Sequence, residues 1–392
     1  ENHDPCGYGF SDGDPDAMAF PVPGTLAPVP WADMPLGQVL LSFQDDHGAP
    51  FPFEPRAVLA KAAEPLMRQG LTPNVAFELE FYLIDPQTQA TGAPQPPISP
   101  ETGGRDRATQ VYGMGDLDAY GPVLHDIAHA CEVQGVPTGP LTAEYAPGQF
   151  EINLHHVADP VAAADRCILF QRIVRGVARK HGYRATFMAK PYPRETGSGM
   201  HLHVSLVDGD GRNVFADTAD GGYPPMFYHA LGGLMATTPE SMAFFASNPN
   251  AYRRYVPNTF VPLQRSWAFE NRSVAMRVPL SSGQARRIEH RIAGADANPY
   301  LALAAICAGI HHGIANEIDP GPAFEGNAGS RYDSAVPFRS RRALDTLESA
   351  EILPGYIDPT YLRVHIATKH AELDKFEADI SPTEYAWYLR TQ

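Results

Sequence analysis

Apolar positions along the chain show two periodicities: a spacing of three to four residues, typical of helices, and an alternation of every second residue, typical of strands. One amphipathic helix is predicted over residues 56–70, with an apolar face formed by Val58, Leu59, Ala62 and Leu66. Further helices are predicted over 121–134, 160–181 and 299–314. Strand-like runs fall between these helices, so the pattern predicts an α+β fold.

The most informative strand reads Asn-Val-Ala-Phe-Glu-Leu-Glu-Phe, in which Glu78 and Glu80 alternate with Phe77, Leu79 and Phe81. Side chains two apart on a strand share one face, so both carboxylates point the same way. Two like charges on a buried face are costly unless cations meet them. Oxygen-rich sites suit Mg²⁺ or Mn²⁺. An exposed edge strand with a solvated acidic face is the alternative, but both faces look buried.

Later motifs add to this picture. Glu144 and Glu151 bracket a Pro-Gly-Gln turn, and a Gly-Ser-Gly-Met segment leads into His201 and His203, which share a strand face. Arginines surround Glu289 shortly before an Asn-Pro-Tyr helix start. Each motif alone is weak, because a lone histidine in a strand is usually a satisfied structural residue. Their combination in this order is specific.

In these motifs the chain resembles the glutamine synthetase superfamily. Four segments are most similar to its γ-glutamylpolyamine (γ-glutamylputrescine) synthetase branch: 76–85, 150–160, 186–193 and 292–300. The resemblance implies an N-terminal β-grasp domain, incomplete here, over residues 1–53. A catalytic domain with a curved antiparallel sheet and surrounding helices is expected over 54–392. Because the chain opens without methionine, we expect an N-terminal segment to be missing.

The resemblance also implies a site. Two or three divalent ions are expected, one held by Glu80, Glu144 and Glu151 and another by Glu78, His201 and Glu289. Catalytic roles fall on Asp16, Arg272 and Arg277. Glutamate and amine would be bound by Gly197, Arg254, Phe260 and Arg291. Nucleotide contacts are expected from His203, Ser205 and Arg287.

The implied reaction is the ATP-dependent joining of the γ-carboxylate of glutamate to an amine through γ-glutamyl phosphate. Asp16, contributed by a neighbouring subunit, would bind and deprotonate the amine. Ammonia-using members carry a glutamate on a flap where this chain has Phe260, which can pack against carbon but cannot attract ammonium. Arg265 adds a positive charge, which is unfavourable beside a cationic polyamine.

Putrescine or another polyamine is therefore the expected acceptor. The alternatives are a monoamine such as ethanolamine, an alkylamine or an aromatic amine, then ammonia itself, or a non-catalytic structural protein of the family. The resemblance further implies a homo-oligomer, a dodecamer of two stacked hexameric rings.

Composition and charge limit the classes of partner that the protein is expected to bind. The formal net charge of −15 and the lack of a basic run disfavour a nucleic acid partner. Four scattered cysteines without a CxxC motif fit reduced thiols, so a cytoplasmic location is expected. The apolar helical run at 301–310 is too short to cross a bilayer, so no membrane partner is expected.

Overall fold

The computed structural model describes residues 18–45, 47–105 and 111–390. Four short strands come first: β1 (Met18–Pro21), β2 (Ala27–Pro28), β3 (Gly37–Gln38) and β4 (Leu41–Gln44). They form two two-stranded antiparallel sheets, β1 with β4 and β2 with β3. The predicted boundary between an N-terminal domain and residues 54–392 stays a prediction. Val29 and Trp31 pack into the same hydrophobic core as the rest of the chain.

A larger sheet carries the other eight strands of the described chain: β5 (Thr72–Ile84), β6 (Thr138–Ala143), β7 (Gln149–Leu154), β8 (Arg184–Thr186), β9 (Met200–Val207), β10 (Trp267–Phe269), β11 (Met276–Val278) and β12 (Ile288–His290). Its order is β10-β11-β12-β9-β5-β7-β6, and β8 pairs with the end of β5. All pairs are antiparallel except β10 with β11. The antiparallel sheet predicted from the family resemblance therefore has one parallel pair at its edge.

Helices surround the sheet: α1 (Pro55–Arg68), α2 (Met114–Ala119), α3 (Gly121–Val133), α4 (Pro160–Lys180), α5 (Pro225–Phe245), α6 (Pro299–Ala315), α7 (Ser340–Glu348), α8 (Pro359–Glu377) and α9 (Pro382–Tyr388). The starts of α4 and α6 follow from sequence. Asp159 and Asn298 accept hydrogen bonds from the first backbone N–H groups, and a proline occupies the next position of each helix. The predicted mixture of helices and strands is confirmed.

Strand β5 lies near the centre of the sheet and alternates between two environments from Thr72 to Phe81. Val75, Phe77, Leu79 and Phe81 are fully or almost fully buried in the core against the helices. The residues between them are only half-buried, because they face a cavity on the other side of the sheet. The expectation that both faces are buried is therefore corrected: one face belongs to the core and the other carries Glu78 and Glu80.

Two long helices, α5 and α6, touch backbone to backbone at glycines. A Cβ atom at Gly233 would lie 2.0 Å from the carbonyl oxygen of Gly309, and one at Gly313 would lie 2.0 Å from that of His229. No side chain fits at these crossings, so glycine is what allows the two helices to pack in close contact. In the described part of the chain, no helix is long and apolar enough to span a membrane.

Candidate active site

Neighbouring strands place glutamates and histidines side by side. Glu78 on β5 lies opposite His201 on β9, and Glu80 lies opposite Glu151 on β7. His201 Nδ1 donates to Glu78 Oε1 at 2.6 Å, and His203 Nε2 donates to Glu78 Oε2 at 3.1 Å. Antiparallel pairing has therefore gathered side chains from positions far apart in sequence into one cluster.

The turn between β6 and β7 brings Glu144 to the same cluster. Gly148 in this turn has φ +73° and approaches β5 so closely that a Cβ atom would lie 2.7 Å from the carbonyl oxygen of Leu83. Only glycine fits both this conformation and this approach. Gln149 then reaches across β5, and its amide nitrogen lies 3.4 Å from Glu80 Oε2 and 3.1 Å from the carbonyl oxygen of Gly197.

Burial and repulsion between carboxylates set the protonation of the cluster. Burial, followed by the charges of Glu80 and Glu78, raises the pKa of Glu144 to about 7. Burial and repulsion from neighbouring carboxylates raise the pKa of Glu151 to about 10. Burial opposes the charge of Glu78 as well, but hydrogen bonds from two histidines outweigh it and hold that pKa well below its usual range. Carboxylates that repel one another in this way fit the binding of divalent cations.

Glu289 on β12 lies opposite His203 on β9 and is paired with arginines. Arg277 Nη1 lies 2.7 Å from one carboxylate oxygen, and Arg291 Nη1 contacts the other. His201 Nδ1 is 4.0 Å away. Burial opposes ionisation, but the charges of Arg291, His203 and His201 outweigh it and lower the pKa of Glu289 to about 2. Glu289 is therefore ionised at any physiological pH.

Two groupings of side chains could each hold a metal ion within the described residues. They are Glu78, His203 and Glu289, and Glu78, Glu151 and His201, with candidate ligand atoms within 4.8 Å of one another. This division differs from the two expected sets, because His203, expected at the nucleotide, joins the first grouping. Carboxylate oxygens with one imidazole suit Mg²⁺ or Mn²⁺. The assignment of ligands to individual ions stays a prediction.

A cavity of about 290 Å³ lies over the cluster. It gathers ten of the predicted site residues: Glu78, Glu80, Glu144, Glu151, Gly197, His201, Arg254, Phe260, Arg272 and Arg291. Five others are not on its wall: His203, Ser205, Arg277, Arg287 and Glu289. Of these, Arg287 Nε donates to His203 Nδ1 at 3.1 Å, and Ser205 accepts from Asn74 at 3.4 Å. Asp16 lies outside the described residues.

Arg254 is buried, with only 4% of its surface exposed. Its Nη1 donates to the carbonyl oxygen of Ile292 at 2.9 Å. A Cβ atom at Gly197 would lie 2.4 Å from Arg254 Cγ, so glycine is needed here to admit the arginine stem. A buried guanidinium at a cavity wall is suited to bind a carboxylate with a fixed geometry.

The segment around Phe260 forms one wall. Phe260 has φ +57° and is 56% exposed, and its ring stacks on Tyr145 with centroids 6.1 Å apart. Sequence reasoning missed Tyr145 as a site residue, although it directly follows Glu144. It also missed Tyr112, whose hydroxyl accepts from Arg272 Nη1 at 2.5 Å. Tyr112 belongs to none of the sequence motifs, so no pattern in the sequence marks it.

A cavity with a floor of carboxylates and a rim of arginines is typical of metal-dependent enzymes that act on anionic substrates. The family profile of the glutamine synthetase catalytic domain matches residues 52–388. The chain therefore belongs to the glutamine synthetase family, and the predicted family and fold are confirmed.

Similarity to individual proteins is consistent with membership of the glutamine synthetase family. Gamma-glutamylputrescine synthetase PuuA of Escherichia coli (strain K12) is 43% identical over 385 residues, which cover 98% of this chain and 81% of that protein. Glutamate–isopropylamine ligase of Pseudomonas sp is 34% identical over 322 residues, covering 82% of this chain and 69% of the relative. Among solved structures, a GmaS/ADP complex superposes with a TM-score of 0.85 at 28% identity, covering 97% of this chain and 86% of that one.

The raised pKa of Glu144 predicts how metal and pH act together. Its protonated form favours the folded state, so this contribution to stability is present below the ordinary glutamate pKa of 4.5 and is lost as the pH rises through about 7. Divalent cations replace those protons. We expect Mg²⁺ or Mn²⁺ to raise the Tm of chelator-treated protein more at about pH 8 than at about pH 5. The measurement is thermal denaturation, with a monovalent salt at matched ionic strength as the control. Equal shifts at both pH values would contradict the prediction.

Proposed function

We propose that the protein is an ATP-dependent ligase that joins the γ-carboxylate of L-glutamate to an amine, with putrescine or another polyamine as the acceptor. The observation that carries the proposal is the aromatic pair Tyr145 and Phe260 in the same cavity as the carboxylate cluster. Apolar rings stabilise the carbon chain of an organic amine but offer no charge to ammonium. Similarity to a γ-glutamylputrescine synthetase and to an isopropylamine ligase supports the same reaction class.

The proposed reaction has two steps. An oxygen of the glutamate γ-carboxylate attacks the terminal phosphorus of ATP, which releases ADP and leaves γ-glutamyl phosphate. An unprotonated amine nitrogen then attacks the acyl carbon, inorganic phosphate leaves, and the nitrogen loses a proton. Two or three divalent ions, Mg²⁺ or Mn²⁺, would be held by the six predicted ligands and would neutralise the phosphate oxygens.

The chain's own groups would orient and stabilise the reactants. Arg254 would bind the α-carboxylate of glutamate, and Arg272 and Arg291, also on the cavity wall, would meet developing negative charge near the acyl phosphate. Arg277 would act in catalysis and Arg287 at the nucleotide, and these two arginines also contact Glu289 and His203. Asp16, as the amine-binding acid of a neighbouring subunit, completes the proposal.

Arg265 does not oppose a cationic acceptor. Its Nε lies 3.0 Å from Asp333 Oδ2, so its charge is paired, and it is absent from the described cavity wall. A monoamine remains the second candidate acceptor, because the ring pair itself requires only carbon.

The direct test is ATP turnover with glutamate and a panel of amines: putrescine, butylamine, ethanolamine and ammonia. We expect ADP release to depend on glutamate and amine together, with the γ-glutamyl amide identified by mass. A preference for ammonia would make the protein a glutamine synthetase. No turnover with any acceptor would favour a non-catalytic role.

We further propose that the active form is a homo-oligomeric ring, a dodecamer of two hexamers, in the cytoplasm. A site that needs Asp16 from a neighbour is incomplete in one chain. Light scattering on active protein tests the assembly, and a catalytically competent monomer would contradict it.

A further inference from the structure

A second cavity adjoins the one over the carboxylate cluster. It measures about 690 Å³, and its wall is rich in proline: Pro94, Pro96, Pro147, Pro191 and Pro193. Pro193, Arg194 and Glu195 line both cavities, so these three residues form the boundary between them. None of the described residues that were expected at the site lines this second space.

The boundary is fixed close to the reaction centre. Thr196 Oγ1 donates to Gln149 Oε1 at 2.6 Å, and the backbone oxygen of Thr196 accepts from Tyr82 at 2.6 Å. Gln149 in turn contacts Glu80. The backbone that carries Glu195 is therefore tied to the strands that hold the carboxylate cluster.

Glu195 differs from the other carboxylates of the first cavity, because it alone among them also lines the proline-walled cavity in the described part of the chain. Lys190, on the same cavity wall, donates to the backbone oxygen of Glu195, and the positive charge of Lys190 attracts its half-buried carboxylate. Within the described residues that carboxylate makes no direct hydrogen bond or ion pair. Arg194 beside it is exposed and can turn its long side chain into solvent. An unpaired carboxylate between two cavities is suited to a cationic ligand group.

We propose that the proline-walled cavity is a distal subsite for the acceptor amine, and that Glu195 is the counter-ion for the second ammonium of a diamine. The proposal rests on the proposed function and adds the group that distinguishes a diamine from a monoamine. One nitrogen reacts over the carboxylate cluster, the methylenes lie along apolar walls, and the other nitrogen reaches Glu195. Longer polyamines extend past Glu195 into the second cavity.

The test compares putrescine with butylamine, which has the same carbon chain and no second charge. Glu195→Gln keeps the size of the side chain and removes its charge. We expect kcat/KM for putrescine to fall about tenfold, through KM, while butylamine changes by less than about twofold. Arg194→Gln should have the opposite sign and raise kcat/KM for putrescine by about two- to threefold, because it removes a like charge. Glu348→Gln, at an exposed position on α7, is the matched control.

The possible outcomes distinguish failure of the proposed subsite from failure of the proposed reaction. Equal losses for both amines, or a raised KM for glutamate with either amine, would overturn the subsite, since Glu195 would then bind glutamate or support the loop. An unchanged putrescine value would overturn it as well. Butylamine turnover by every variant would leave the proposed function intact, whereas no turnover of either amine by the wild type would overturn both.

Discussion

Exchange of Glu80 for glutamine is expected to lower kcat by at least about a thousandfold and, at the same time, to raise the Tm of the metal-free protein. The carboxylate accepts from Gly199 N at 2.8 Å, and its charge helps to raise the pKa values of Glu144 and Glu151. An amide of the same shape removes that repulsion. It also removes a charge that a divalent cation needs, so activity and apo stability should move in opposite directions.

The measurements are initial rates of ADP release and thermal denaturation with and without Mn²⁺. Glu132→Gln, at an exposed position on α3, removes the same formal charge away from the site and should change neither quantity. Wild-type turnover in excess chelator would contradict the role of the cluster. A fall in apo Tm with Glu80→Gln would show that Glu80 serves the fold instead.

Exchange of Phe260 for glutamate should shift the preference between an organic amine and ammonia by about two orders of magnitude. The wild-type ring denies ammonium a charge partner, which costs about 1–3 kcal/mol in a desolvated site. It also stabilises the carbons of an amine by about 0.8 kcal/mol per buried CH₂. A carboxylate would reverse both effects and break the stack on Tyr145.

The readout is kcat/KM for ammonia and for butylamine at one pH, counted as free base. Any residue other than glycine meets a similar backbone cost at φ +57°, so the two side chains are compared fairly. Ile380→Glu, at a residue with the same 56% exposure between α8 and α9, is the control. An unchanged ratio would refute the specificity argument and leave family membership standing.

The strand-level features of the site could be predicted from sequence, because they follow from alternation. Glu78 and Glu80 had to share a face, and so did His201 and His203. Which strands lie next to β5 could not be derived from its own residues; only the family resemblance related Glu144, Glu151 and Glu289 to it. Local pattern also misses contacts made by loops, which is why Tyr112 and Tyr145 were not foreseen.

Helix α5 shows a different limit. Its interior contains Pro239 and the pair Gly232 and Gly233, all of which disfavour a helix locally. The structure keeps it helical because its sides are buried against α6, where glycine is the residue that fits. Tertiary packing has outweighed the low helix propensity of these residues, and this outcome cannot be predicted from a short stretch of sequence.

The alternation of β5 from Thr72 to Phe81 bears on how such an enzyme can diverge. Phe77 and Leu79 pack in the core, whereas the alternate positions Glu78 and Glu80 face the cavity. Point substitutions can therefore alter catalysis while leaving the fold almost unchanged. Insertion or deletion of one codon would instead exchange the two sets, placing carboxylates in the core and aromatic rings over the reaction centre. Lineages should therefore hold the length of this strand constant, whereas surface loops away from the two cavities can vary in length.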